Sequence, residues 1–415
     1  MDDLTGLWDT GRSWFWLGVI LVTLTGVAIG KYPGLRMNRA SICLVGATVL
    51  VASGAIGLDA AFRAIDMNTI TLLFAMMVIN ANLRLSGFFQ LVAQWTMRRT
   101  RSPTLLLAAM MAISAFLSAL FLNDTVVLVF TPLILEVVLA MQLPPVPFLV
   151  GLALSANIGS VATLIGNPQN MLIGLSSGIP FTRFSWVLAP VAMGGVLLAW
   201  LVVAGVYRSG MQTVPVMPET MARVRCFRPL MRKTLLATVV MLAALLAGVA
   251  VPLAALSGAA LLLTTRRLHP ERVFREIDWT LLVFFAALFV VTGAIESAGF
   301  GPALMQILTP LMHGDVLTFT VAGVVLSNVV SNVPAVLLVR PVMETLADPE
   351  RQWLMLAMVT TFAGNLTLLG SVCNLIVAES ARAHGVELSF NAYLRAGLPV
   401  TLVTLLWGVF WITRG

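Results

Sequence analysis

The chain is poor in charge, cysteine and histidine, and each shortage excludes something. Only 10% of its 415 residues are charged, against about 25% in soluble domains. So few charges cannot coat a water-exposed surface of this size, and lipid must be the main solvent. The three cysteines, Cys43, Cys226 and Cys373, are far apart and odd in number. That excludes a disulfide framework and a zinc-binding spacing. His269, His313 and His384 all read as loop residues. No HExxH, Ser-His-Asp constellation or phosphate-binding P-loop occurs. ATP hydrolysis within the chain is therefore not expected, nor is a cofactor or a resident metal. Nothing supplies the catalytic group of a membrane-embedded enzyme. The start, Met1 to Gly11, is acidic and lacks a basic n-region, so no cleavable signal peptide is expected.

What is abundant is apolar: 59% of the residues. Runs of about 20 such residues recur, each long enough to cross a ~30 Å hydrocarbon core. In the first half they fall at Trp14 to Gly30, Ala40 to Leu58 and Asn68 to Leu83. An amphipathic stretch, Phe88 to Met97, precedes two apolar arms, Leu105 to Leu122 and Val126 to Met141. Phe148 to Gly174 is interrupted by polar and turn-forming residues, and Phe184 to Tyr207 closes the half. Trp14, Trp16, Trp407 and Trp411 stand where an aromatic belt would lie. The net charge of +7 does not imply a nucleic-acid partner, because the arginines sit in short loops between apolar spans.

The second half repeats this order, and residues repeat with it. Phe62-Arg63-x-Ile65-Asp66 recurs as Phe274-Arg275-x-Ile277-Asp278, and Gly87-Phe88 as Gly299-Phe300. Thr163-Leu164-Ile165-Gly166 and Asn170 recur as Thr367-Leu368-Leu369-Gly370 and Asn374. Asn123 precedes Pro132 as Asn332 precedes Pro341. An ordered set of matches is the mark of duplication. The reading is an all-α membrane protein of two repeats, residues 1–207 and 234–415, joined by a basic linker over 208–233 that carries Pro215, Pro218 and Pro229. Each repeat holds five full spans plus a helical hairpin, and an odd count makes the halves antiparallel. The arms as full spans instead of a re-entrant hairpin would keep this parity. Of the 25 basic residues, 18 then fall on one face, Lys31, Arg98, Arg101, Arg208, Arg225 and Arg266 among them. The positive-inside rule makes that face cytoplasmic and both termini external, in a bacterial inner membrane.

Inverted repeats with interrupted helices characterise secondary transporters. Four interruptions occur in two related pairs. The tips are Asn123-Asp124-Thr125 and Ser331-Asn332-Val333-Pro334. The other two run from Asn157 through Gly166-Asn167-Pro168-Gln169-Asn170 and from Gly364-Asn365-Leu366-Thr367 through Gly370-Ser371 to Asn374. Asn123 or Asp124 could cap the arm from Val126, and Pro168 and Pro334 suit a first helical position. Helix N-termini aimed into the membrane suit an anion or oxygen-rich solute. The candidate solute residues are Asn123, Thr125, Asn157, Thr163, Asn167, Asn170, Ser331, Asn332, Asn365, Thr367, Ser371 and Asn374. Any single one could instead be inter-helix glue. Asp124 has no acidic counterpart, since Val333 stands opposite. A mid-membrane carboxylate costs roughly 2.5 to 3.5 kcal/mol. It could bind a coupling proton or sodium ion, or serve only as a cap. Cys373 reads as a small apolar filler or, less simply, as a metalloid ligand.

At these residues a family resemblance emerges. Leu117-x-x-Leu120-Phe121-x-Asn123-Asp124, running into Thr131-Pro132-Leu133, resembles the arsenite-pump (ArsB) branch of the ion transporter superfamily. Ala162-Thr163-Leu164-Ile165-Gly166-Asn167-Pro168-Gln169-Asn170 is similar to its NhaD-like and anion-permease relatives. Gly364-Asn365-Leu366-Thr367-Leu368-Leu369-Gly370-Ser371 resembles the second-half counterpart. The resemblance implies a homodimer, an elevator-like transport domain, and a site at the tips and breaks. For an arsenite pump it also implies a separate ATPase subunit. The leading expectation is proton-coupled arsenite or antimonite efflux. The alternatives are cation-coupled transport of a small carboxylate or inorganic anion, and a passive anion channel.

Overall fold

The computed structural model describes residues 2–30, 35–99, 102–208, 226–264 and 268–414. Lys31, Arg101, Arg223, Arg225, Arg266, Arg267 and the linker's Pro215 and Pro218 lie outside the described residues. No strand occurs among the described residues. The helices are α1 (Asp2–Ile29), α2 (Arg39–Ala52), α3 (Leu58–Ala64), α4 (Met67–Ser86), α5 (Phe88–Arg99), α6 (Pro103–Leu120) and α7 (Asn123–Ala140). Then come α8 (Pro145–Ser160), α9 (Pro168–Ser177), α10 (Phe181–Val206), α11 (Arg228–Leu246), α12 (Val251–Leu263) and α13 (Pro270–Arg275). The rest are α14 (Trp279–Ser297), α15 (Gly301–Met312), α16 (Val316–Val330), α17 (Asn332–Met343), α18 (Pro349–Ala363), α19 (Val372–Ala383) and α20 (Phe390–Arg414).

Eight described helices are long and apolar enough to cross a membrane: α1 from Gly11 onward, α4, α6, α7, α10, α11, α14 and α20. The hairpin arms α6 and α7 have 18 residues each, or about 27 Å at 1.5 Å per residue. Shorter apolar helices, α2, α8, α12, α16 and α17, fill the rest. The run expected from Ala40 to Leu58 is helical only as far as Ala52. Its last turn closes through Ser53 and Gly54, and Gly54 has φ 80°.

Local chemistry explains the helix ends. Prolines open α6, α8 and α9, where a missing amide hydrogen removes no helical bond. Asn38, Asp278 and Asp315 cap α2, α14 and α16, accepting from the amides of Ser41, Leu281 and Thr318 at 2.9, 3.0 and 2.7 Å. The Thr318 amide and hydroxyl hold the Asp315 carboxyl below the usual carboxylate range. Gly87 and Gly299 follow α4 and α14 with φ 78° and 81°, a region that penalises any Cβ.

The chain forms two compact units, each drawn from both halves of the sequence. One comprises Met1–Ile70 and Asp278–Pro349, the other Thr71–Ile277 and Glu350–Gly415. In the first, α14 packs against α2 and α3, and α17 against α14, α15 and α16. In the second, α8 is the central post, packed against α6, α7, α10, α19 and α20. From Pro147 to Ser160 every residue of α8 is buried, as is every residue of α18 from Trp353 to Ala363. A helix that is apolar all round belongs in such a position. The polar exceptions on α8 find partners: Ser155 Oγ lies 2.6 Å from Ser114 Oγ on α6.

Candidate functional site

The segment between α8 and α9 is non-helical and wholly buried from Val161 to Asn167. Such backbone needs hydrogen-bond partners inside the protein. Asn170, itself fully buried, supplies them: its Nδ2 donates to the carbonyls of Ser160 at 3.1 Å and Thr163 at 3.2 Å. The segment between α18 and α19 is held the same way. Asn374 Nδ2 donates to the carbonyls of Gly364 at 2.8 Å and Thr367 at 3.0 Å. Donors and acceptors of the two clamps are each 204 residues apart. At the start of α9, Asn167 Oδ1 caps by accepting from the Asn170 amide at 2.8 Å.

The two breaks meet crosswise. Asn157, on α8, accepts at Oδ1 from Asn123 Nδ2 at 3.1 Å and Ser371 Oγ at 3.2 Å. Its Nδ2 donates to Asn365 Oδ1 at 2.9 Å and Asn374 Oδ1 at 3.0 Å. A carboxamide has two donor hydrogens and two acceptor lone pairs, so Asn157 is saturated within the protein. Thr361, 204 residues later on α18, holds the matching place. Its Oγ1 accepts from Asn167 Nδ2 at 3.4 Å and Gln169 Nε2 at 3.3 Å, and donates to the Ala357 carbonyl at 2.7 Å.

The first hairpin tip enters this network. Its helix starts earlier than expected: α7 begins at Asn123, after Leu122, with no side-chain cap. Asp124 therefore lies in the first turn instead of capping an arm from Val126. A tertiary bond sets this start, since the Asn123 amide donates to the Gly166 carbonyl at 3.1 Å. Asn123 Oδ1 accepts from the Asp124 amide at 3.0 Å. Thr125 Oγ1 accepts from Asn80 Nδ2 at 3.5 Å, and Thr163 Oγ1 donates to the Ala119 carbonyl of α6. Asp124 is half-buried, and α19 packs on α7 so that Cys373 stands within electrostatic range of it.

The structure thus brings Asn123, Asn157, Asn365, Ser371 and Asn374 into one network, with Thr163, Asn167 and Asn170 alongside. Thr367 is half-buried, its carbonyl held in the second clamp. Ser331 and Asn332 belong to the other compact unit. There α17 begins at Asn332, so Pro334 falls in the first turn and not at its first position. Ser327 Oγ donates to Asn332 Oδ1 at 2.7 Å, and Ser331 adopts φ 76°, ψ 159°. Thr361, Gln169 and Ser160 were not among the expected site residues. Thr361 could have been found as the repeat counterpart of Asn157. Among the described residues no lysine or arginine hydrogen-bonds into this network, and Asp124 is its charged neighbour.

A family model described as a citrate transporter, CitMHS, matches residues 19–363, most of the chain. The chain belongs to the CitMHS family. Its relatives include the rice silicon efflux transporter LSI3, 30% identical over 95% of each chain. A Dictyostelium discoideum protein named for arsB is 25% identical, covering 90% of this chain and 87% of its own. In fold, this CitMHS member resembles the Alcanivorax borkumensis YdaH transporter, with a TM-score of 0.56 at 15% identity, covering 97% of this chain and 98% of that one. Membership agrees with the resemblance to ArsB/NhaD-like permeases of the ion transporter superfamily. The CitMHS chain is a multi-pass integral membrane protein and a secondary transporter.

Proposed function

We propose that the chain exports a small, neutral, hydroxyl-rich oxoacid of a metalloid, with arsenite or antimonite as the leading solute, across the inner membrane in exchange for protons. The observation that carries this reading is the character of the network: among the described residues it is made of carboxamides and hydroxyls, with the Asp124 carboxylate beside it. A trihydroxy acid both donates and accepts hydrogen bonds, as amides do. A polyanion would be repelled by an ionised Asp124 and would need a guanidinium or ammonium partner, which the described hydrogen bonds of the network do not include. The similarity to a transporter named for silicon efflux supports a neutral oxoacid. Asp124 carries the coupling proton, and the solute contacts groups around Asn123, Thr163, Asn167, Asn170, Asn365 and Ser371. The two halves are taken as inverted repeats, with external termini and a homodimeric elevator assembly, to which an arsenite pump would add a separate ATPase subunit.

A second reading is cation-coupled transport of a small carboxylate or inorganic anion. The family description favours it, as does the positive dipole end of α19, which starts beside the network at Val372 with no side-chain cap. Proteoliposomes challenged with arsenite, silicic acid, phosphate, sulfate, citrate and succinate under imposed proton or sodium gradients separate the two. Proton-driven accumulation of arsenite or silicic acid is expected. Accumulation of citrate or succinate alone would replace this reading with the second. Counterflow in the same vesicles is expected for a carrier and absent for a passive channel.

A further inference from the structure

The two clamps match residue for residue, yet one hydrogen-bond acceptor is left over. Asn374 Oδ1 receives Asn157 Nδ2 at 3.0 Å. Its counterpart, Asn170 Oδ1, is buried and receives no hydrogen bond. Asn170 cannot relieve this by flipping, because its Nδ2 already donates to the Ser160 and Thr163 carbonyls. The cause is Thr361. It occupies the position that Asn157 occupies in the first half, but it has no amide hydrogens, and its hydroxyl donates to Ala357. Asn365, whose counterpart is the apolar Val161, also keeps a buried Nδ2 without an acceptor.

Buried polar atoms in native proteins nearly always have partners. Of the eleven buried side-chain atoms without a partner among the described residues, these two, of opposite kind, belong to side chains that bond the crossing or clamp its breaks. The geometry points to Asn170 Oδ1 as the acceptor for a solute hydroxyl, held open by Thr361, which makes position 361 a specificity determinant. This rests on the reading given under Proposed function and names the contact behind it. An acceptor oxygen favours a protonated X–OH and repels X–O⁻, so it selects the neutral acid over its anion. Asn365 Nδ2 offers the complementary donor.

The test is T361N beside T361S, in the full-length chain purified in detergent, with binding of arsenous acid and silicic acid followed by calorimetry. The carboxamide introduced by T361N can donate to Asn170 Oδ1 as Asn157 does to Asn374. It can also still accept from Asn167 and Gln169. The expected result is an affinity lower by about tenfold, the worth of one good hydrogen bond. The thermal unfolding temperature should stay unchanged or rise. T361S keeps the hydroxyl and adds no amide donor, and its affinity should stay within about twofold of the parent. Equal binding by T361N and the parent would overturn the inference. So would an equal loss in T361S, which would assign the effect to packing. If T361N does not fold, the parent chain still decides. Its binding should fade as pH rises through the solute's own first ionisation, and binding that strengthens there overturns the acceptor role. A parent that binds neither acid but takes citrate would sink the functional reading itself, a different failure from either variant result.

Discussion

A carboxamide bonded on all four sides has one orientation that satisfies its neighbours. Asn157 is in that position, and it fixes the sense of Asn123, Asn365, Asn374 and Ser371 at once. Its role is to hold other groups in register. The titratable neighbour is a different matter. Asp124 sits in the first turn of α7, where the helix N-terminus favours the charged carboxylate and partial burial favours the neutral acid. A coupling group must reach both forms. Asp124→Asn keeps the shape and removes the titration. We expect this variant to fold and to exchange solute between equal pools, but to lose accumulation driven by a pH gradient. Normal gradient-driven uptake, measured in the same vesicles as exchange, would remove Asp124 from coupling. The sequence made these residue types visible, because Asn, Asp and Thr stand out in apolar runs. It did not show who bonds whom. Asn157 and Ser371 meet across more than 200 residues, and no local pattern encodes that pair.

Among elements, α6 and α8 meet backbone to backbone. A Cβ built at Gly159 would lie 2.2 Å from the Ala115 carbonyl oxygen and 2.3 Å from its Cα. Both obstacles are backbone, so the helices must part to admit it. Close helix approach through a small residue is a favoured packing mode in membranes. Gly159→Ala should lower stability by about 1–3 kcal/mol, as overpacking does. Gly205→Ala on α10, where nothing lies within 4 Å, should be neutral or slightly stabilising. Thermal unfolding in detergent compares them directly, and an undisturbed Gly159→Ala would show that α6 and α8 are not in fixed contact. Helix starts marked by proline and Asn or Asp were legible in the sequence. The start of α7 was not, because it depends on the carbonyl of Gly166, a partner 43 residues away.

At the scale of the whole molecule, the sequence reads as a duplication from matched residues in one order at offsets of 204 to 212, and the carbonyl clamps of Asn170 and Asn374 match at 204. The compact units were not legible, because each draws on both halves of the chain. Orientation rests on charge, and it makes a prediction. In a chain whose native cysteines are replaced, a cysteine at Arg208 should resist an impermeant reagent in intact cells, whereas one at Arg12 should react. The reverse pattern would exchange the faces on which the termini and the basic loops lie.

The composition of the first compact unit also has a consequence for synthesis. Its two pieces, Met1–Ile70 and Asp278–Pro349, are separated by roughly 200 residues of the other unit. At about 5–20 residues per second, α1, α2 and α3 wait on the order of ten to forty seconds before α14 leaves the ribosome. During that interval the face of α2 that α14 will cover has no native partner from α14. Newly made α2 is therefore a natural client for whatever shelters unpaired helices beside the insertion machinery.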